Sequence, residues 1–362
     1  MKYQLTLHPV AGAWHSERLT LTIEGEYIVD VEYRPSVGDG AYARRLTQGG
    51  ITGALQAARQ VCPHCQVAHT LAFSLAIEQL AGVTAPLRAQ AVRVVLAELE
   101  RAASHINTLA ALATALGLTD AARLSRLTTR LGLIALKLSG NDEAALIRPG
   151  GLLADPSESA LAETAQAIND LLPRMIAVAE QSIPRRSILA RTVDVGVLQP
   201  TAARQFGLAG PLARASGIAT DVRIQEPSYA AYNILAPALV TEEGGDVHAR
   251  AVVLLLEAIE SLRLVVRWLQ NLPVGNVYEE VPLVAGEATV TVEAPRGSLR
   301  YTVRSDGQRL TEVEIGIAPQ LDRLLARSLL QQAVVDDVML IAISTDPCTA
   351  CWQSATYLIG RS

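Results

Sequence analysis

Val61-Cys62-Pro63-His64-Cys65-Gln66-Val67-Ala68-His69 is one of two short stretches for which the rest of the chain reads as scaffold. The other is Thr345-Asp346-Pro347-Cys348-Thr349-Ala350-Cys351, close to the end of the sequence. The chain has 4 cysteines, and all of them lie in these two C-x-x-C pairs. Thiolates are soft ligands that favour zinc, copper(I), nickel or iron–sulfur partners, so a four-thiolate metal site is the first hypothesis. Zinc ribbons space their two knuckles roughly 15–20 residues apart, because one small module supplies both. Here the pairs stand at opposite ends, and a whole folded domain must converge to join them. A structural zinc clip and disulfides remain as alternatives. Disulfides rank last, because Met1-Lys2-Tyr3-Gln4 leads into polar alternation and not into an apolar secretory segment.

The 362 residues allow one large domain or two intimately packed ones. Half the residues are hydrophobic but only 4% are aromatic, and the abundance of Ala and Leu suits closely packed helices. A formal net charge of −5 gives no basic footprint, which argues against nucleic acid as a partner. The charge-free run 102–119, which no other exceeds in length, contains Ser104, His105 and Asn107 and is too weakly apolar to insert in a bilayer. A soluble chain that docks on a hydrophobic partner is expected.

Residues 3–34 alternate in a strand-like way, and Glu24-Gly25-Glu26 reads as the turn of a hairpin. The Gly- and Arg-rich stretch 35–53 reads as a loop. Helices are expected over 70–80, from Pro86 through Leu116 to Gly117, over 120–138, over 157–181 with a kink or break at Pro173, and over 246–272. The Gly-punctuated stretch 190–232 carries several Arg and Asp. It reads equally as a connector crossing a buried site or as a solvated loop. Strands near 288–293, 299–304 and 312–317 follow, with turns at Pro295-Arg296-Gly297 and Asp306-Gly307. A helix over 319–333 comes next, and Val338-Met339-Leu340-Ile341-Ala342-Ile343 reads as a buried strand delivering Asp346 and Cys348.

The order of these landmarks resembles the catalytic large subunit of nickel–iron hydrogenases, in the membrane-bound, energy-converting branch related to the quinone-site subunit of respiratory complex I. The resemblance covers nearly the whole chain. It runs through Ile23-Glu24-Gly25-Glu26, C-x-x-C-x-x-x-H ending at His69, and Glu98-x-x-Arg101-x-x-Ser104-His105. It continues through Arg148-Pro149-Gly150-Gly151, Arg191-Thr192, Val195-Gly196-Val197, Gly210-Pro211 and Arg214-Ala215-Ser216-Gly217. It closes on Glu293-Ala294-Pro295-Arg296-Gly297 and Asp346-Pro347-Cys348-x-x-Cys351. The implied fold is α+β: one domain over 1–362, with strands and loop over 1–50, a helical bundle core over 51–273, and small peripheral antiparallel sheets completed over 274–362.

The resemblance implies a Ni–Fe centre, its iron carrying carbonyl and cyanide ligands. Cys62 and Cys348 would be terminal thiolates on nickel, and Cys65 and Cys351 would bridge to iron. Arg296 would lie over the open metal face, where a guanidinium can polarise bound hydrogen. Asp346 would orient ligands and arginine from behind. Glu24, with Glu26 as its competitor in register, would relay protons as a buried carboxylate whose pKa is raised. His69 and His105 would support the site without ligating. The implied activity is reversible conversion of H2 into protons and electrons. An iron–sulfur small subunit would take the electrons, and ion-translocating membrane subunits would complete an assembly docked on the cytoplasmic side.

The sequence departs from the family at several points. Cys62-Pro63-His64-Cys65 replaces the usual Cys-Gly-x-Cys, and Gln60 stands where an arginine is usual, with Arg59 one step off. Gly38-Asp39-Gly40-Ala41-Tyr42 replaces a His-Arg-Gly-x-Glu stretch, and Ser354 replaces a His or Arg, which bears on whether the tail 355–362 is cleaved. These departures leave open a complex I-like, non-hydrogenase coupling subunit. A zinc-stabilised scaffold is the third reading.

Overall fold

The computed structural model describes residues 2–7, 17–34, 44–140, 142–225, 229–319, 321–348 and 350–351. The expectations for Gly38–Tyr42, Ser354 and the tail lie outside them. The architecture is α+β, a helical core with small antiparallel sheets, as the sequence implies.

Strands β1 (Lys2–Leu7), β2 (Glu17–Glu24) and β3 (Tyr27–Arg34) form the first sheet in chain order. Helix α1 (Gly50–Arg59) leads to the first cysteine pair, and α2 (Gln66–Ala81) starts directly after Cys65. The core is built by α3 (Leu87–Ala115), α4 (Ala121–Ser139), α5 (Glu158–Ser182) and α6 (Val247–Gln270). Helix α3 packs on α4 and α6, and α6 packs on α5. Between α4 and α5, the short strands β4 (Ile147–Arg148) and β5 (Gly151–Leu152) pair as a small hairpin. The second sheet, β6 (Ala285–Ala294), β7 (Gly297–Asp306) and β8 (Leu310–Ile317), lies against α2. Helices α7 (Arg323–Leu330) and α8 (Val338–Ser344) close the described chain, with α8 packed on α3 and α6.

Local chemistry fixes these boundaries. Pro86 precedes α3, where its missing N–H costs no hydrogen bond. The Ser157 hydroxyl accepts from the Ala160 amide at the start of α5, and the Asp246 carboxylate accepts from Ala249 at the start of α6. In α3 and α6 nearly every turn buries small or branched apolar side chains, so the two helices approach closely.

Three local expectations are corrected. The apolar run from Val338 is helix α8, not a strand. Such a run of four to eight residues has no periodicity of its own, and here a 3-10 turn at Val335–Asp337 winds directly into it. The stretch expected as a loop to residue 53 is already helical from Gly50. Pro173 neither ends nor divides α5, which runs unbroken from Glu158 to Ser182. The connector over 190–232 combines both readings: Thr192, Arg214, Ser216, Asp221, Arg223 and Tyr232 are buried, while Arg191, Val193, Arg204 and Gln205 are exposed.

A buried cysteine seam

Cys62 and Cys65 sit in the turn between α1 and α2, with Cys65 as the residue before the first helical turn. Cys348 and Cys351 follow α8. The fold brings the ends together: Cys62 Sγ lies 3.4 Å from Cys348 Sγ, and Cys65 Sγ lies 3.9 Å from Cys351 Sγ. All four are buried free cysteines. The sulfurs of Cys62, Cys65 and Cys351 lie within 4.8 Å of one another. A metal–sulfur bond of ~2.3 Å implies a tetrahedral edge of about 3.8 Å, so these sulfurs are spaced to share a soft transition metal. The donor set fits nickel, iron or zinc equally well. Thiols this close cannot all ionise alike. Contacts with Cys351, Cys62 and Cys65 hold Cys348 well below the usual thiol range, with Arg296 adding to them, while the contact with Cys348 pushes Cys65 up.

Arg296 occupies the β6–β7 turn and reaches across the seam. Its Nη1 donates to Cys65 Sγ at 3.5 Å, while Nε and Nη2 donate to the carbonyl and to Oδ1 of Asp346, both at 3.0 Å. Thr108 on α3 donates to the same Oδ1 at 2.8 Å. Asp346 holds φ at 48°, a left-handed conformation uncommon outside glycine, and it does so where its carbonyl and carboxylate both face the guanidinium. Gly210 explains the Gly-Pro landmark: at φ +70°, a Cβ there would lie 2.6 Å from the Arg296 carbonyl oxygen. Only glycine lets this segment brace the arginine turn.

His69, one turn into α2, is fully buried. Its Nε2 lies 3.5 Å from Cys351 Sγ, and its Nδ1 lies 2.8 Å from the Tyr301 hydroxyl. Burial lowers its pKa to about 4, so the ring is neutral. A phenol donating to Nδ1 leaves an Nε2–H to face the sulfur. The ring thus lies between the second cysteine pair and Tyr301. His105 supports the core at one remove, with Nε2 3.1 Å from Glu257.

Glu24 differs from expectation. It lies at the exposed end of β2, as does Glu26 in the turn, so this chain does not desolvate either carboxylate. The hairpin that makes them turn residues also keeps them in water. The strongly perturbed carboxylate near the seam is Glu100, which sequence reading passes over inside its own motif. Its two oxygens accept from the amides of Val67 (2.7 Å) and Ala68 (3.0 Å), in the first turn of α2. Burial raises its pKa to about 8 against those two donors, with Glu143 adding to the rise. Arg59, one place off the usual arginine, pairs with Asp142 instead.

Several landmark residues meet in a second cluster. Glu98 accepts from Arg223 (3.0 Å), Tyr232 (2.5 Å) and Ser261 (2.5 Å). Arg214 donates to Glu257 (2.5 Å) and Glu293 (2.8 Å). Arg101 donates to the carbonyls of Glu293 and Ala294, which lead directly into Pro295 and Arg296. The motif at Glu98–His105 is therefore a brace for the arginine turn. Helical spacing is enough to show that Glu98, Arg101 and His105 share a face, but nothing in the sequence points to Thr108 or Tyr301 as partners of the site.

A family model described as the respiratory-chain NADH dehydrogenase 49 kDa subunit matches residues 142–285. The chain is 31% identical over 343 residues to the carbon monoxide-induced hydrogenase of Rhodospirillum rubrum, covering 92% of this chain and 94% of that one. It is 30% identical over 342 residues to an NADH-quinone oxidoreductase subunit of Rhizobium meliloti, covering 84% and 83%. Among solved structures, the membrane-bound sulfane sulfur reductase, an archaeal respiratory membrane complex, contains a chain of the same fold. The TM-score is 0.88 at 23% identity, over 97% of this chain and 98% of that one. The protein belongs to the family of the respiratory-chain NADH dehydrogenase 49 kDa subunit, in which its relatives include both a hydrogenase and NADH-quinone oxidoreductase subunits.

Proposed function

We propose that this chain is the catalytic large subunit of an energy-converting nickel–iron hydrogenase. Cys62 and Cys348 would hold nickel, and Cys65 and Cys351 would bridge it to an iron carrying carbonyl and cyanide. The observation that carries the reading is the pairing of the sulfurs: first with first and second with second, with Arg296 on a bridging position. When bound, such a centre supplies the redox-active site at which H2 is split heterolytically.

The chain's own residues do the rest. Arg296 keeps its positive charge, because Asp346 and the nearby sulfurs outweigh the cost of its burial. It therefore places a fixed cation against the Cys65 sulfur, which would carry thiolate charge as a ligand of the bound centre. Asp346 and Thr108 hold that guanidinium in one orientation. His69 steadies Cys351 as a neutral donor. Glu100, titrating near neutrality at the head of α2, is suited to exchange protons between this end of the seam and Glu143. All 4 cysteines are committed to the seam, so electrons would leave through a separate iron–sulfur small subunit. No helix among the described residues is long and apolar enough to cross a membrane. A peripheral position on the cytoplasmic side of membrane ion-translocating subunits completes the proposal.

A second reading has its own support. The identity to a quinone oxidoreductase subunit nearly equals that to the hydrogenase, and Pro63-His64 is unusual for a metal-binding turn. In that reading the chain is a coupling subunit without Ni–Fe.

Elemental analysis and infrared spectra of the native complex separate the two. Stoichiometric nickel and iron with carbonyl and cyanide bands, both lost in Cys62→Ser, is the expected result. Zinc alone or no metal, with no such bands, would leave the second reading.

A further inference from the structure

Asp346 offers more acceptor capacity than its protein neighbours use. Oδ1 and the main-chain carbonyl take three donors from Arg296 and Thr108. Oδ2 is buried and has no hydrogen-bond partner among the described residues. Arg250, on α6, shows the complementary excess. Its Nε donates to the Ser344 hydroxyl at 2.8 Å, and its Nη1 donates to the carbonyls of Gly196 (2.9 Å) and Gly245 (2.7 Å). Its Nη2 is buried and likewise unpartnered among the described residues. Arg250 is 1% exposed and Asp346 is 7% exposed. Both residues line one cavity of about 20 Å³, which Arg296, Ser344 and Thr345 line as well.

We propose that this cavity is the binding site of a single structural water that accepts from Arg250 Nη2 and donates to Asp346 Oδ2. Size and chemistry converge on that ligand. A site needs roughly 10–15 Å³ to hold one water, and this one has little more. The occupant must accept a hydrogen bond from a guanidinium and give one to a carboxylate. Water does both. A halide accepts but cannot donate, and an ammonium ion donates but cannot accept. Buried polar groups are otherwise almost always paired, so two orphans of opposite sense on one cavity define the molecule that joins them.

The bridge ties α6 to the loop that delivers Cys348. It gives Asp346 a fixed partner on the side away from Thr108, so the carboxylate that orients Arg296 is held from three directions. The site depends on Arg250 and Asp346 alone and holds whichever metal the cysteines carry. Its failure would therefore leave the nickel–iron reading untouched, and the reverse is also true.

The test is a density map of the native complex at a resolution that shows ordered solvent. The expected result is one solvent peak within hydrogen-bonding distance of both Arg250 Nη2 and Asp346 Oδ2, without anomalous signal at the chloride or bromide level after bromide exchange. Three results would overturn the proposal: no peak, a peak that touches only one of the two groups, or a halide in the site. Direct contact between the guanidinium and Oδ2, closing the cavity, would overturn it equally.

Discussion

The cysteine seam and the Glu98–Arg214 cluster lie in the same interior, share the β6–β7 turn as a border, and are built on opposite terms. In the cluster, carboxylates and guanidiniums compensate each other. Burial alone would raise Glu257, but Arg214 and His105 outweigh it and hold the carboxyl far below its usual range. Glu98 is depressed in the same way by Arg223 and Arg101. The charges there find counter-charges within the chain, although Arg101 Nε and His105 Nδ1 have no hydrogen-bond partner among the described residues. In the seam the four sulfurs have chiefly one another, Arg296 and His69, and Asp346 keeps a buried oxygen without a partner among the described residues. A buried polar group without compensation is expensive. The cluster is a brace, and the seam is the receptacle we propose for the metal centre.

Three substitutions test that contrast, in decreasing size of effect, and a titration tests its border. Arg214→Leu strips Glu257 and Glu293 of their main counter-charge. Removing one partner of a buried pair costs about 3–5 kcal/mol. Denaturant unfolding of the purified complex should show that loss, and a change near zero would mean the cluster is not the brace described. Arg296→Lys keeps the charge but gives up the fork that spans Asp346 and Cys65. Metal content should hold while turnover falls about 100-fold or more, the scale of losing one preorganised donor. If turnover is kept, the fork is dispensable.

Thr108→Val removes one of the donors on Asp346 at nearly constant volume. A stability loss of about 1 kcal/mol is expected, with Arg296 retained in place. An unchanged unfolding midpoint would show that the contact carries no net energy.

Glu100 is read out by titration and tests the border of the seam. Its pKa in the folded chain is raised to about 8 from an ordinary 4.5. The folded state therefore binds the proton more tightly than the unfolded state. The associated stability is complete below pH about 4.5 and is lost as pH rises through about 8. A carboxylic acid infrared band that disappears near that upper pH, and is missing in Glu100→Gln, would confirm it. A band lost near pH 4.5 would remove Glu100 from the proton route.

The contrast also explains what is legible in the chain. Every cysteine, Arg296, Asp346 and His69 can be singled out because soft ligands and turn arginines are rare and occur in motifs. Their convergence from opposite ends follows from spacing, and the structure brings the sulfurs within 4 Å in pairs. Glu24 is misjudged because a turn carboxylate and a buried one look identical in one dimension, and only tertiary contacts decide which one water reaches. Glu100 is overlooked for the mirror-image reason. It sits beside Glu98 on a helix, and its burial comes from the start of α2, thirty-odd positions away in sequence.

The sequence by itself determined the long helices, the second sheet and the identity of the metal-competent residues, because periodicity, capping residues and ligand softness are local properties. Tertiary structure alone decided that Val338–Ser344 is helical, which arginines of the Gly-rich connector are buried, and that the motif around Glu98 braces the Arg296 turn. It also decided which buried oxygen and guanidinium nitrogen are left unpartnered among the described residues, on two residues that line one cavity. Those outcomes depend on which distant groups exclude water from one another. Desolvation belongs to the packed chain and has no signature in the order of its residues.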